Sequence, residues 1–370
     1  LGIVRLGLVQ SALGSVVVLT TSTLNRVMVV ELALPALVPG VLVALHHALQ
    51  LLRPRFGYGS DRGGRLTPWI VGGMAALTGG GFLAAVATAL AATRPAPGLA
   101  LATLAFVLIG VGVGAAGTSL LVLLAKRVDA RRRAPAATIV WVMMIAGFVL
   151  TAGVAGHLLD PYTHERLVLV AGVICATALC VALLAVWGVE RDAPAGLPAA
   201  ADHVPFGEAL AQVWTEPQAR RFTVFVFVSM LAYSAQDLIL EPFAGLVFGL
   251  TPGESTRLSG VQNSGVLLGM VLVGIAAGRR AAALRAWTIG GCVASGVALF
   301  ALALAGHVGP EWPLRPTVFL LGAANGAFSV AAIGSMMALV GAGRASREGT
   351  RMGLWGAAQA IAFAAGGIVG

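Results

Sequence analysis

Charge is what this chain of 370 residues has least of: Asp, Glu, Lys and Arg together make up 11% of it. A soluble domain of this length carries about 25%, so a water-surrounded globule is excluded. Cysteine is almost missing. Cys175, Cys180 and Cys292 all fall inside apolar runs with no metal-ligand spacing, which excludes a disulfide framework or a zinc site and leaves three small core residues. There is no phosphate-binding glycine loop, no cluster of cysteine and histidine, and no Ser-His-Asp set. The polar stretches are too short to house an active site, so the chain is not expected to be an enzyme. No cleavable signal peptide is evident, because the first apolar segment is long and ends in charge and Pro35. Leu1 at one end and Gly370 inside an apolar run at the other suggest a chain trimmed at both ends.

Apolar residues are abundant instead, at 58%, with a mean hydropathy of +0.91. This composition predicts an all-α polytopic membrane protein. A spanning helix needs about 20 mostly apolar residues. Such segments are expected at Val4–Val30, Ala33–Leu52, Trp69–Ala92, Gly98–Ala125, Ala136–Leu159 and Leu167–Val189. A second set is expected at Phe222–Phe248, Arg257–Ala277, Ala286–Gly306 and Pro316–Val340, with an eleventh segment beginning near Met352. The net charge of +9 is dealt out in small packets between these segments, so nucleic acid is not an expected partner and membrane lipid is. Of the 24 Lys and Arg, nineteen fall on one side. Only Arg94, Arg166, Arg257 and Arg315 fall on the other, and Arg26 lies inside the first segment. The positive-inside rule then puts the N-terminus in the cytoplasm.

The organisation reads as residues 1–189, a six-helix half; residues 190–221, a cytoplasmic linker; and residues 222–370, a second half cut short. Within the linker, FGEALAQVWTEPQARR has the pattern of an amphipathic interfacial helix. The halves echo each other. The first segment ends NRVMVVELALP and the seventh ends QDLILEPF; Arg133 precedes Trp141 by eight residues, as Arg347 precedes Trp355. Parallel repeats of this kind build two-half transporter folds.

The stretch Arg53–Trp69, RPRFGYGSDRGGRLTPW, stands out as a short basic hinge between two apolar runs. Gly57, Asp61, Arg62, Gly64 and Arg65 stand in the order G-x-x-x-D-R-x-G-R. The glycines suit a tight turn, the arginines suit the headgroup layer, and Asp61 among four arginines is expected to be ionised and paired. The plainer reading is a loop that only obeys the charge rule. The pattern resembles the loop between helices 2 and 3 of major facilitator superfamily proteins. The resemblance implies a major facilitator fold with two six-helix halves, the last helix missing from this chain, and helices 1, 4, 7 and 10 lining a cavity. It also implies that Asp61 meets the start of the eleventh segment near Gly349–Met352, close to Lys126 or Arg127.

Polar groups inside membrane segments are costly and mark function. Asn25, Arg26 and Glu31 lie in the first segment, and Gln236, Asp237 and Glu241 in the seventh. They form either a polar site between the halves or a ring of charges that locks them. His46 and His47, with Gln50 one turn on, are either hydrogen-bonded core residues or axial ligands for the magnesium of a chlorin. No other metal is expected. Trp141 and Trp355 are further candidates for lining an apolar ligand. Glycine is dense at Gly110, Gly112, Gly114 and Gly117, and Gly265 and Gly269 form G-x-x-x-G, a close-packing motif that 49 glycines would produce often by chance.

Longer stretches carry a narrower resemblance: VRLGLVQSALG, TLNRVMVVEL, LHHALQLLRPRFGYGSDRGGRLTPWI, VWVMMIAG, QDLILEPFAG and GTRMGLWGAAQAIAF. Together they are similar to the bacteriochlorophyll delivery family of light-harvesting assembly factors, the PucC and LhaA type. The resemblance implies a bacterial inner photosynthetic membrane and bacteriochlorophyll as cargo. It implies light-harvesting antenna polypeptides as partners, and the reaction centre or pigment-synthesis enzymes as further ones. The alternative is a facilitator-type secondary transporter of a small amphipathic substrate, proton-coupled through Asp237 or Glu241. A third reading is a structural subunit packed against an antenna ring.

Overall fold

In lipid every backbone N–H and C=O must be satisfied within its own segment, so long apolar runs become helices. A computed structural model describes residues 2–24, 27–35, 37–62, 65–129, 132–159, 163–190, 204–250, 252–279, 284–340 and 347–369. The helices are α1 (Gly2–Val18), α2 (Leu37–Leu49), α3 (Arg53–Arg62), α4 (Thr67–Ala91), α5 (Pro95–Arg127), α6 (Arg133–Leu158) and α7 (His164–Val186). They continue as α8 (Phe206–Thr215), α9 (Pro217–Phe248), α10 (Pro252–Arg279), α11 (Leu284–Val308), α12 (Leu314–Val340) and α13 (Glu348–Val369). Proline opens α5, α9 and α10, where its missing N–H costs nothing. The Thr163 hydroxyl caps α7 by accepting the Arg166 amide at 3.1 Å.

Among the described residues six helices, α1, α4, α5, α7, α11 and α12, are long and apolar enough to cross a membrane by length and composition. The packing between the two halves comes mainly from α3 on α13 and from α6 on α10 and α12.

Three expectations need correcting. The basic stretch at Arg53 is not a loop: α2 runs through the single tight turn Gln50–Leu52 into α3. Gly57 and Gly59 within α3 serve close packing, against Gly349 O and Trp69; Gly63 and Gly64 lie outside the described residues. The first segment is not a uniform helix. After Val18 it widens, so that the Leu24 amide bonds back to Leu19 O and the Leu32 amide to Val27 O at 3.1 Å. The Thr20 and Thr21 hydroxyls donate to the carbonyls of Val16 and Val17 at 3.0 and 2.9 Å, which loosens the ladder there. Of the cysteines only Cys175 is buried; Cys180 and Cys292 sit on the outer surface of α7 and α11.

In the first half α4 packs on α5 and α7, and α1 on α6 and α7. In the second half α12 lies between α10 and α11, and α9 pairs with α13. The α10–α12 contact runs backbone on backbone. A Cβ on Gly265 or Gly269 would collide with the carbonyls of Phe319 or Ala323, and one on Gly322 or Gly326 with those of Gln262 or Val266. The G-x-x-x-G motif is thus matched by a second on its partner, and the pair excludes any larger residue. The first half repeats the device more loosely: Gly110 faces His46 O and Gly114 faces Phe56.

The halves meet toward the end that carries Arg53–Arg65, here the basic end. There α3 packs on α13, and α6 packs on α10 and α12. Phe222, Val226, Met337, Val340, Met352 and Trp355 of the second half join the core of the first. Toward the opposite end Leu240, Leu258, Leu302 and Leu314 form a core of the second half alone. The expected contact of the first segment with the seventh is not part of this: α1 and α9 are not among the packed helix pairs of the described residues.

A donor-rich seam as the candidate functional site

The seam starts where α3 crosses the beginning of α13. A Cβ on Gly57 would collide with Gly349 O, and one on Gly353 with Arg53 O and Pro54. Gly57 therefore has a packing role fixed by its neighbour. The approach expected of Asp61 toward Gly349–Met352 is made by its helix. The side chains of Asp61 and Arg62, with Gly64, lie outside the described residues. Arg65 is exposed.

A short helix straps the seam. α8 buries Ala209 and Val213 and touches α3 on one side and α13 on the other. The Tyr58 hydroxyl donates to Val204 O at 2.6 Å, and its ring meets Phe206 edge-on at 5.5 Å. The Arg55 guanidinium lies 5.0 Å from the centre of the Phe206 ring. On the far side Arg347 donates to Gln212 at 3.3 Å. Arg351, 1% exposed, forks onto the Glu216 carboxylate at 2.9 and 3.1 Å and also donates to Val340 O. Charge counting read this arginine as a headgroup residue, yet it ties α13 to the α8–α9 corner.

A polar cluster lies further along the seam. The Arg53 guanidinium can only donate, and one of its Nη2 hydrogens goes to Gln50 Oε1. That fixes the Gln50 amide with its NH2 toward the histidines. Gln50 Nε2 lies 3.1 Å from His46 Nε2 and 3.4 Å from His47 Nδ1. Both nitrogens must accept, so the ring protons sit on His46 Nδ1 and His47 Nε2. His46 is 2% exposed, and its Nδ1 is buried with no hydrogen-bond partner, as is Arg53 Nε. The His47 ring stacks on Phe363 of α13 at 5.9 Å and 12°, and Tyr233 of α9 meets Phe363 edge-on at 6.3 Å. Gln50 is thus the partner of the histidines that the four-residue spacing suggests. Neither imidazole, in this arrangement, presents a lone pair for magnesium.

The remaining candidates are dispersed. Gln236 accepts from Asn325 at 3.3 Å, and Asn325 accepts from Ser295 at 2.8 Å, a buried network within the second half. Gln236 Nε2 has no hydrogen-bond partner. Glu31 is exposed. Asn25 and Arg26, and the side chains of Asp237 and Glu241, lie outside the described residues. Trp141 crosses from α6 into the core of α10 and α12. Trp355, 1% exposed, lies in the core that joins the first half, with its ring 4.9 Å from Phe222. The two tryptophans, at matching positions in the repeat, both lie in cores shared between the halves.

Sequence reasoning missed Asn325, Ser295, Phe363 and Glu190. Glu190 accepts the amides of Leu66 and Thr67, each at 2.9 Å, and so caps α4. Burial disfavours its charge, but the nearby Thr67 hydroxyl, the two amides and Arg127 outweigh that and hold its carboxyl below the usual range. Among the described residues Glu190 is an acid near Arg127; the Asp61 side chain lies outside them. No local sequence signal marks it, because the helix it caps begins at Thr67, 123 residues earlier.

Two bundles of helices meeting along such a seam define the major facilitator fold. A bacterial homologue of the iron transporter ferroportin in its outward-facing state superposes with a TM-score of 0.81 over 98% of this chain and 90% of that one, at 13% identity. A proton:xylose symporter gives 0.70 over 100% and 87%, at 17% identity. At such identities the likeness concerns the fold alone. Within that fold the chain belongs to the PUCC protein family, whose profile matches residues 23–370. The bacteriochlorophyll synthase 44.5 kDa chain of Rhodobacter capsulatus is 56% identical over 372 residues, covering all of this chain and 86% of that protein. Protein PucC of Cereibacter sphaeroides is 29% identical over 97% of this chain and 80% of its own length.

Proposed function

We propose that this protein is a non-enzymatic assembly factor that takes up bacteriochlorophyll in the photosynthetic membrane and hands it to light-harvesting antenna polypeptides. Membership in the PUCC protein family carries the reading. The pigment-related name of the relative at 56% identity supports it. So does the aromatic contact at the seam, where Phe363 meets both His47 and Tyr233. With the basic end in the cytoplasm, cargo enters from the side where pigment enzymes release it.

The test combines purification with gene deletion. Purified protein should show bacteriochlorophyll absorbance and bring antenna polypeptides with it. A deletion strain should still make the pigment but assemble less antenna. Loss of pigment synthesis itself would instead make the chain part of a synthase. The second reading, transport of a small amphipathic solute, draws on the buried Gln236–Asn325–Ser295 network, which gives the second half fixed polar groups within the membrane. Proton-driven uptake into vesicles by pigment-free protein would favour it.

A further inference from the structure

We propose that His46, Gln50 and Arg53 form a binding site for the carboxylate of a largely apolar acid. Every group the cluster turns outward is a donor. The Arg53-to-Gln50 bond orders the amide, the amide orders both imidazoles, and His46 Nδ1–H, His47 Nε2–H and the Nε and Nη1 hydrogens of Arg53 are among those that remain. His46 Nδ1–H and Arg53 Nε–H are buried without an acceptor. Among the described residues Arg53 has no carboxylate partner, the ion pair formed there being Arg351–Glu216. A half-buried guanidinium whose Nε–H is itself buried, beside the unfilled His46 Nδ1–H, is built to receive an anion. One guanidinium with neutral imidazole donors matches a single negative charge on two oxygens, hence a carboxylate.

The surroundings set the rest of the ligand. Gly353 and Gly356 press on Arg53, and Gly110 on the His46 backbone, so no long side chain competes for the donors. Phe363, stacked on His47, offers a flat apolar wall. His46 and these donor atoms are buried between helices, which favours an acid whose body is apolar. Two sources share that chemistry: a membrane fatty acid, and a chlorin that carries a free propionate. The site stands on geometry and does not require the delivery reading.

The experiment titrates purified protein in detergent with pheophorbide a, a metal-free chlorin monocarboxylic acid, and with its methyl ester. Absence of magnesium removes axial ligation from the comparison. The acid should bind about tenfold or more tighter than the ester, as expected for a hydrogen-bonded charge, and Arg53→Gln should abolish that ratio. Equal binding of acid and ester to the unaltered protein overturns the proposal, whether or not the variant folds. So does a ratio that survives in folded Arg53→Gln. Displacement of the acid by equimolar oleate assigns the site to fatty acids; failure of oleate to displace it assigns the site to the chlorin acid. A ratio of tenfold without co-purifying antenna polypeptides would keep this site and remove the delivery reading.

Discussion

Single residues carry unequal loads here, and the sequence hides some of them. Ala33 holds a φ of 49° just after the widened end of the first segment. A left-handed conformation costs a residue with a Cβ about 1–2 kcal/mol, so Ala33→Gly should raise stability by about 1 kcal/mol. Thermal unfolding in detergent reads this directly, and a loss would mean that the turn is not strained. Glu190 makes a pH-dependent case. Its folded pKa is depressed, so its stabilisation is present above the unfolded carboxylate range and fades as pH falls through the folded value. Glu190→Gln should lower the melting temperature at pH 7, and the gap to the parent should close in acid. A gap independent of pH would place the effect elsewhere. The His46–Gln50 pair was legible from its four-residue spacing. Arg351 was not, because a lone arginine near a helix start looks the same whether it meets lipid headgroups or a buried Glu216.

Among the elements, α3 was misread for a physical reason. Glycine and charge argue for a loop when only local propensity is weighed, and tertiary packing overrides it once Gly57 must accommodate α13. Gly57→Ala should separate α3 from α13 and cost about 1–3 kcal/mol, the range for an overfilled contact. An unchanged melting temperature would show that the helices have room to spare. Glu216→Ala should cost about 3–5 kcal/mol, since it takes the carboxylate away from the buried Arg351 guanidinium. The G-x-x-x-G of α10 was visible in the sequence, but its weight came from the matching glycines of α12, which sequence spacing alone does not pair with it.

Across the whole molecule the two-half architecture was legible, because apolar length and charge asymmetry are properties of entire segments and survive local errors. Which residues meet across the halves was not, since that depends on how far one half is rotated against the other. Orientation is open to a direct test with Cys180 and Cys292 replaced by alanine. A membrane-impermeant thiol reagent should label Val308→Cys in intact cells and leave Trp214→Cys untouched until the membrane is opened. The reverse pattern would invert the charge-rule topology.

The glycine crossing of α3 and α13 has a mechanical meaning. Side chains that interlock act as teeth, and sliding them means lifting each one out of its slot. At Gly57, Gly349 and Gly353 there are no teeth, only smooth backbone against backbone. Such a surface behaves as a bearing: one half can roll on the other with little to climb over. α8, held to both sides, sets how far the roll can go.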